Sequence, residues 1–326
     1  MPAPTHTAID ARPPAEGRAQ SWMRRLTAGD EAAYVLTFIC AATVILVTAL
    51  LVWELYDKSV LSREKFGWAF LWTSDWDPVA GKFGAAPYIY GTLVTTALAM
   101  LVGVPLGVGA AIFLAEMAPP GISSVLTFMV ELLAAVPSVI LGLLGIFVMI
   151  PVLRDVAPFL RDVLGWSPLF KGPFYGVSFL AAGVVLSIMI LPFIISISRE
   201  VILAVPGDQR EAALALGATR WETTWDAVVP YARRGIYGSI FLALARALGE
   251  TMAVTMVVGN TPQIVKSLFA PGSSIAAAIA NQFTEATGDL YRGALIELGL
   301  VLFGLTIIIN GAARLLVLST ERKGSG

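Results

Sequence analysis

Six long apolar runs dominate this 326-residue chain, and they leave few folds open to it. A membrane crossing as an α-helix needs about 20 consecutive, mostly apolar residues. A buried helix of a soluble protein would show one apolar stripe, whereas these runs are apolar on all sides. The runs extend over residues 34–53, 88–114, 124–150, 176–197, 236–258 and 294–318. The sequence therefore predicts an all-α polytopic membrane protein with six transmembrane helices.

Composition and charge exclude several other classes of protein. Only 14% of the residues are charged and 57% are hydrophobic, whereas soluble domains carry about 25% charged residues. The net charge of −1 provides no basic field for nucleic acid. One cysteine, Cys40, and one histidine, His6, leave no disulfide framework and no Cys/His metal site. We therefore expect membrane lipid as the surroundings and no cofactor held by this chain.

The charged loops predict an orientation and two regions. Residues 1–32 are polar and contain no apolar run, which is typical of a disordered tail. A membrane domain is predicted over residues 33–320. An even number of crossings puts both termini on one side, and Lys and Arg are more numerous in the loops of that side. The positive-inside rule then predicts that both termini, and the loop between runs four and five, are cytoplasmic.

That loop, residues 206–230, has the pattern of two short helices around a glycine. Gly217 fits the left-handed position that ends a helix, and Pro230 is expected near the end of the second helix. Two pairs have the three-residue spacing of a capping box: Asp208 with Glu211, and Thr219 with Glu222. The hairpin either packs on its own protein or enters a groove of a separate cytoplasmic protein.

Two charged residues lie inside the fifth run. Arg246 and Glu250 are four residues apart, which predicts one face of a helix. Charge at the bilayer centre costs about 2.5–3.5 kcal/mol on insertion scales, so both should face the bundle interior or a wet cavity. Thr251 and Asn260 add polar groups nearby in sequence. These four residues are the candidates for a transport path.

Two interpretations of the Arg246–Glu250 pair remain open. The pair is a self-neutralising structural contact, or Arg246 meets an anion in the path and Glu250 neutralises it between events. Arginine ahead of glutamate is the less favourable helical order, which weakens a purely stabilising role. A guanidinium suits phosphate because its paired donors match the oxyanion.

The hairpin resembles the EAA loop of ATP-binding-cassette (ABC) importer permeases, whose pattern is E-A-A-x3-G-x9-I-x-L-P. The chain matches it at Glu211-Ala212-Ala213, at Gly217 and at Pro230, with Ala227 and Val229 in place of the isoleucine and leucine. Three further stretches resemble the C-type permeases of the phosphate-specific transport (Pst) family: residues 76–93, 131–138 and 246–260. The resemblance covers residues 66–320.

This resemblance implies a type I ABC importer permease for inorganic phosphate in the bacterial cytoplasmic membrane. It implies that Glu211, Ala212, Ala213 and Gly217 dock ATPase subunits, and that Arg246 and Glu250 act in phosphate transport. The implied partners are a second permease of the A type, an ATPase dimer that holds ATP and Mg²⁺, and an external phosphate-binding protein. The chain itself has no G-x-x-x-x-G-K-[ST] motif, which predicts a transport subunit and no ATP hydrolysis of its own.

Two rival functions stay open. The same architecture could carry another oxyanion, such as molybdate, sulfate or a phosphonate. Alternatively, a secondary transporter or channel could use Arg246 and Glu250 as an ion relay.

Overall fold

A computed structural model describes residues 30–323. The predicted tail, residues 1–32, lies outside the described part except for its last three residues, which begin the first helix. The chain divides into two compact units, residues 1–54 and residues 55–326.

The described residues are helical almost throughout, which confirms the predicted all-α class. Short π-helical turns connect several of the helices, at residues 113–117, 145–149 and 223–228. The α-helices are α1 (Asp30–Lys58), α2 (Val60–Phe66), α3 (Ala86–Ile112), α4 (Pro120–Ala134), α5 (Ser138–Leu144), α6 (Ile150–Leu164), α7 (Phe179–Leu203), α8 (Gly207–Ala215), α9 (Arg220–Glu222), α10 (Val229–Gly249), α11 (Met252–Val257), α12 (Ile275–Gln282) and α13 (Asp289–Lys323).

Among the described residues, five helical stretches are long and apolar enough to cross a membrane. Four of them correspond to predicted runs one, two, four and six. The stretches are Ala33–Lys58, Ala86–Met117, Ser138–Leu164, Phe179–Leu203 and Asp289–Leu315. The remaining two predicted runs, the third and the fifth, are each broken by a short non-helical segment, so the predicted count of six transmembrane helices is approximate.

The third run, predicted over residues 124–150, breaks between α4 and α5. Pro137 has no backbone N–H, and it also disfavours helical backbone at the preceding residue, Val136. Its own backbone is extended, with φ −57° and ψ 140°. The helix that restarts at Ser138 continues through a π-helical turn as far as Leu164. The crossing helix therefore lies later in the sequence than predicted.

The fifth run, predicted over residues 236–258, breaks between α10 and α11. The backbone of Glu250 is extended, with φ −69° and ψ 126°, and α11 starts two residues later. The helices that follow the two breaks, α5 and α11, pack on each other. Gly142 permits this contact, because a Cβ there would lie 2.6 Å from Met256 Sδ and 3.1 Å from Ala253 Cα.

Helix α7 forms the centre of the unit that follows residue 54. It packs along α3 and against α10, and most of its side chains are buried. Between α7 and α10 the hydroxyls of Ser198 and Ser239 hydrogen bond at 2.7 Å, fully buried. Because the ends of α3, α7 and α10 meet near residues 206–230, one end of this bundle carries the hairpin.

Candidate functional site: a helical hairpin and a broken helix

The hairpin has the predicted glycine turn. Gly217 has φ +91°, a left-handed conformation that an L side chain would strain. Its N–H donates to Leu214 O at 3.0 Å, and the N–H of Ala218 donates to Ala213 O at 3.2 Å. These two bonds are those of a Schellman motif, which ends a helix by satisfying its last carbonyls. The turn therefore fixes the angle between α8 and α9.

One of the two predicted capping boxes is present. Thr219 accepts from the N–H of Glu222, and the Glu222 carboxylate accepts from the N–H of Thr219 at 2.7 Å. These hydrogen bonds hold the pKa of the exposed Glu222 carboxyl below its ordinary value. The predicted box at Asp208 is wrong, because α8 begins at Gly207 and its cap is Pro206, so Asp208 lies inside the first turn.

The second helix of the hairpin does not end near Pro230. Helix α9 runs through a π-helical turn, residues 223–228, straight into α10. A proline removes a backbone donor and clashes with the preceding turn, and the wider π-helical turn that precedes Pro230 accommodates both effects. The hairpin and the first half of the fifth run are consequently one continuous helix from Arg220 to Gly249.

The motif residues of α8 face outward. Glu211 and Ala212 are exposed, and Ala213 is half-buried. Leu216, one turn further, is 90% exposed. In the unit described after residue 54, α8 thus presents small and apolar side chains that no part of that unit covers.

Arg210 is a residue whose contacts were not foreseen from the sequence. Its guanidinium forms an ion pair with Glu116, with Nη2 2.7 Å from Oε1. It also donates to two carbonyl oxygens, Val205 O at 2.5 Å and Ile202 O at 2.8 Å. Because Glu116 is 94 residues away in sequence, no local spacing could have indicated this contact.

The broken fifth segment places Arg246 and Glu250 differently from the prediction. They do not share one helical face, since the helix ends at Gly249. The carboxylate of Glu250 accepts from the N–H of Ala253 at 3.2 Å, on the first turn of α11. The guanidinium of Arg246 is exposed, and its Cζ lies 4.3 Å from the centroid of the Phe193 ring. Within residues 30–323, Arg246 has no ion-pair partner.

The other two candidate residues flank α11. Thr251 is half-buried at the break, and its hydroxyl donates to Gly249 O at 3.2 Å. Asn260 follows α11 with φ +52°, and its Nδ2 donates to Thr255 O at 2.9 Å. The structure therefore brings Arg246, Glu250 and Thr251 to one break, whereas Asn260 lies past the far end of α11.

Comparison with known proteins decides what kind of molecule carries these features. A family model described as "Binding-protein-dependent transport system inner membrane component" matches residues 103–322. The chain belongs to this family. The phosphate transport system permease protein PstC of Mesorhizobium japonicum is 43% identical over 319 residues, 96% of this chain and 98% of its own. The protein of the same name from Xylella fastidiosa strain 9a5c is 49% identical over 262 residues, 79% and 81% of the two chains.

These relatives confirm the resemblance to C-type phosphate permeases that residues 76–93, 131–138 and 246–260 indicated. The chain is therefore a multi-pass membrane subunit of the ABC importer class.

Two solved structures show the same fold at low sequence identity. A chain of the inward-facing methionine ABC transporter MetNI has a TM-score of 0.53 at 17% identity, covering 71% of this chain and 94% of that one. A chain of a bacterial alginate ABC transporter, solved with an alginate-bound periplasmic protein, has a TM-score of 0.58 at 16% identity, covering 89% and 96%. At such identities the likeness establishes the type I importer fold alone.

Proposed function

We propose that this chain conducts inorganic phosphate through the bacterial cytoplasmic membrane as one permease subunit of an ATP-driven importer. The observation that carries the proposal is Arg246, an exposed guanidinium in a predicted transmembrane segment with no carboxylate beside it among the described residues. A charge within a membrane-spanning segment needs a partner, and a phosphate oxyanion supplies one through paired hydrogen bonds.

Glu250 and Thr251 would complete the path at the same break. The Glu250 carboxylate lies against the N–H groups at the start of α11, where it repels a second anion and limits how firmly phosphate is held. Thr251 offers a hydroxyl at the break, and Asn260 offers an amide beyond α11. In this arrangement phosphate meets one strong donor and several weak ones, which permits both entry and release.

The names of the curated relatives favour phosphate over the rival oxyanions. They are phosphate transport permeases, and they are similar to this chain over at least 79% of its length. The same relatives favour an ATP-driven importer over a secondary transporter with an ion relay at Arg246 and Glu250.

The exposed face of α8 is proposed as the docking element for the ATPase subunits. Ala212 and Ala213 have small side chains, which let a partner surface approach closely, and Gly217 fixes the turn that follows. Glu211 adds an exposed charge beside them. This role places the hairpin and both termini in the cytoplasm. The proposed partners are a second, A-type permease, an ATPase dimer that binds ATP and Mg²⁺, and an external phosphate-binding protein.

Docking is tested by Ala212→Leu in the co-expressed complex. Leucine keeps the helix because its helix propensity is close to that of alanine, but it prevents close approach. We expect the ATPase subunits to be lost from the purified permease. The matched control is Ala80→Leu, an exposed alanine at the opposite end of the bundle. Normal ATPase recovery with Ala212→Leu would contradict the docking role.

The cargo is tested by uptake of radiolabelled phosphate in cells that lack their own high-affinity system. We expect uptake that a hundredfold excess of unlabelled phosphate abolishes, and that equal excesses of molybdate, sulfate or a phosphonate leave unchanged. If one of these oxyanions abolishes uptake and unlabelled phosphate does not, that oxyanion is the cargo. Uptake that persists with an ATPase subunit unable to hydrolyse ATP would indicate a secondary transporter.

A further inference from the structure

The contacts of Arg210 join three parts of the bundle at one point. Its Nη2 lies 2.7 Å from Glu116 Oε1, and its Nε lies 3.2 Å from the same oxygen and 3.4 Å from Oε2. Its Nη1 donates to Val205 O and its Nη2 also donates to Ile202 O. Arg210 lies in α8, and Glu116 lies in the π-helical turn that ends α3. Ile202 lies in the last turn of α7, and Val205 lies in the joint that follows it.

One of the two carbonyl oxygens, Ile202 O, belongs to the last turn of α7, where it also accepts from the N–H of Val205 at 3.2 Å. The last four carbonyls of an α-helix have no intrahelical donor, and α7 ends at Leu203. A cation near a helix C-terminus also interacts favourably with the helix dipole. The guanidinium of Arg210 thus adds a charged donor at the end of α7 and in the joint that follows it, and Glu116 neutralises its charge.

The pair is shielded from solvent. The side chain of Arg210 is 23% exposed and that of Glu116 is 13% exposed. Exposed ion pairs contribute little because water and salt screen them, whereas a shielded pair held by several hydrogen bonds keeps a fixed geometry. Arg210 therefore differs from its neighbour Glu211, which points outward from the same helix.

The position of Arg210 lets it link the movement of α8 to that of α3 and α7. Helix α8 follows α7 after only three residues, Ala204 to Pro206, and its other end leads through Gly217 into the continuous helix that becomes α10. Without the side chain of Arg210, a displacement of α8 would be taken up at that three-residue joint or passed to α10 alone. With it, α8 is bound to the ends of both α3 and α7.

We propose that Arg210 is a positioning residue that couples the movement of α8 to α3 and α7. The proposal rests on the proposed function, since it takes α8 as the element that the ATPases move. It extends that function by naming the side chain through which the movement reaches the two helices at the centre of the bundle.

The test is Arg210→Gln in the complete importer reconstituted in liposomes, with phosphate transported and ATP hydrolysed measured in parallel. The ATPase subunits should still co-purify, because the outward face of α8 is unchanged. ATP hydrolysis should continue, while phosphate transported per ATP should fall at least about fivefold, the lower end of typical coupling factors. Arg233→Gln, an exposed arginine on α10, is the matched control and should keep the wild-type ratio. A wild-type ratio with Arg210→Gln would overturn the proposal.

Two further variants keep the test decisive if Arg210→Gln does not assemble. Glu116→Gln leaves both carbonyl contacts of Arg210 and removes only the charge pair, so the complex should assemble with a reduced ratio of phosphate to ATP. Arg210→Lys keeps the charge but not the forked donors, and should fall between wild type and Arg210→Gln. If both variants assemble and keep the full ratio, Arg210 has no coupling role.

The same experiment separates this inference from the proposed function. If the wild-type complex transports no phosphate, or if Ala212→Leu still binds the ATPases, the proposed function fails first. If the wild-type complex transports phosphate, Ala212→Leu loses the ATPases, and the Arg210 and Glu116 variants keep the wild-type ratio of phosphate to ATP, the coupling inference fails and the proposed function stands.

Discussion

Two arginines of this molecule have opposite surroundings. Arg210 is shielded and has a carboxylate and two carbonyl oxygens within hydrogen-bond distance. Arg246 is exposed, and within residues 30–323 its guanidinium contacts an aromatic ring and has no carboxylate partner. A side chain whose donors are mostly bound to protein acceptors holds the protein together, whereas one whose donors have no such acceptors is able to bind a ligand. This difference underlies the two proposals, a coupling role for Arg210 and phosphate binding for Arg246.

The largest expected effect is on transport, at Arg246. Arg246→Gln should reduce phosphate uptake at least about a hundredfold, because two hydrogen bonds to a charged group contribute roughly 1.5–3 kcal/mol each. Uptake of labelled phosphate at equal membrane expression measures it. The thermal stability of the complex should stay unchanged, since no protein contact to a carboxylate is lost. Wild-type uptake by this variant would contradict the proposed binding of phosphate by Arg246.

The next effect is on stability, at Arg210. Arg210→Met should destabilise the protein by roughly 2–3 kcal/mol, somewhat less than a fully buried pair loses, because both side chains keep some exposure. Thermal unfolding in detergent should show it as a fall of several degrees in Tm. The double variant Arg210→Met with Glu116→Leu should recover part of the loss, because no unpaired carboxylate remains. Equal Tm values for Arg210→Met and Arg246→Gln would contradict the distinction.

A smaller effect should follow from the ring beside Arg246. Phe193→Leu removes a cation–π contact, which is worth about 0.5–1 kcal/mol at an exposed site. The KM for phosphate should rise about two- to fivefold as the guanidinium loses its orientation, and kcat should change less. Phe193→Tyr keeps the ring and is the control. An equal rise with tyrosine would show that packing, not the ring face, is responsible.

The smallest effect concerns an exposed charge of the hairpin. Hydrogen bonds from Thr219 lower the pKa of Glu222, so its stabilising contribution is present above the unfolded-state pKa. It is lost as the pH falls through the folded-state pKa. Amide hydrogen exchange at the start of α9 should be faster in Glu222→Ala than in wild type at neutral pH. The two should converge in acid, and a difference that persists there would exclude the carboxylate as its cause.

Much of the fold follows from the sequence because its signals are long or local. Apolar runs of about 20 residues predict crossings whatever their neighbours are. The turn at Gly217 and the capping box at Thr219 are fixed by residues within five positions of each other, and both were predicted correctly. Short motifs also indicated the family: the EAA loop pointed to ABC importer permeases, and residues 76–93, 131–138 and 246–260 pointed to the C-type phosphate permeases.

The errors arose where a local signal competed with its surroundings. Val136-Pro137 was a visible breaker inside an apolar run, yet hydropathy alone favoured one helix over residues 124–150. The break at Gly249 is marked locally by a single glycine, a weak signal because isolated glycines also occur inside helices. The four-residue spacing of Arg246 and Glu250 therefore predicted a shared helical face that does not exist. The contact of Arg210 with Glu116 joins distant segments, and only the packed structure reveals it. The transport roles of Arg246, Glu250, Thr251 and Asn260 remain predictions.

The interrupted fifth segment also bears on how the chain is made. Helix α10 carries Arg233, Arg234 and Arg246 and ends before the apolar residues of α11, so it is a poor candidate to leave the translocation channel for lipid unaided. An arginine at the bilayer centre costs about 2.5–3.5 kcal/mol on insertion scales. In the folded chain α10 packs on α7, where the hydroxyls of Ser198 and Ser239 hydrogen bond at 2.7 Å. We therefore expect nascent chains truncated within α10 to remain extractable from the membrane until α10 packs on α7.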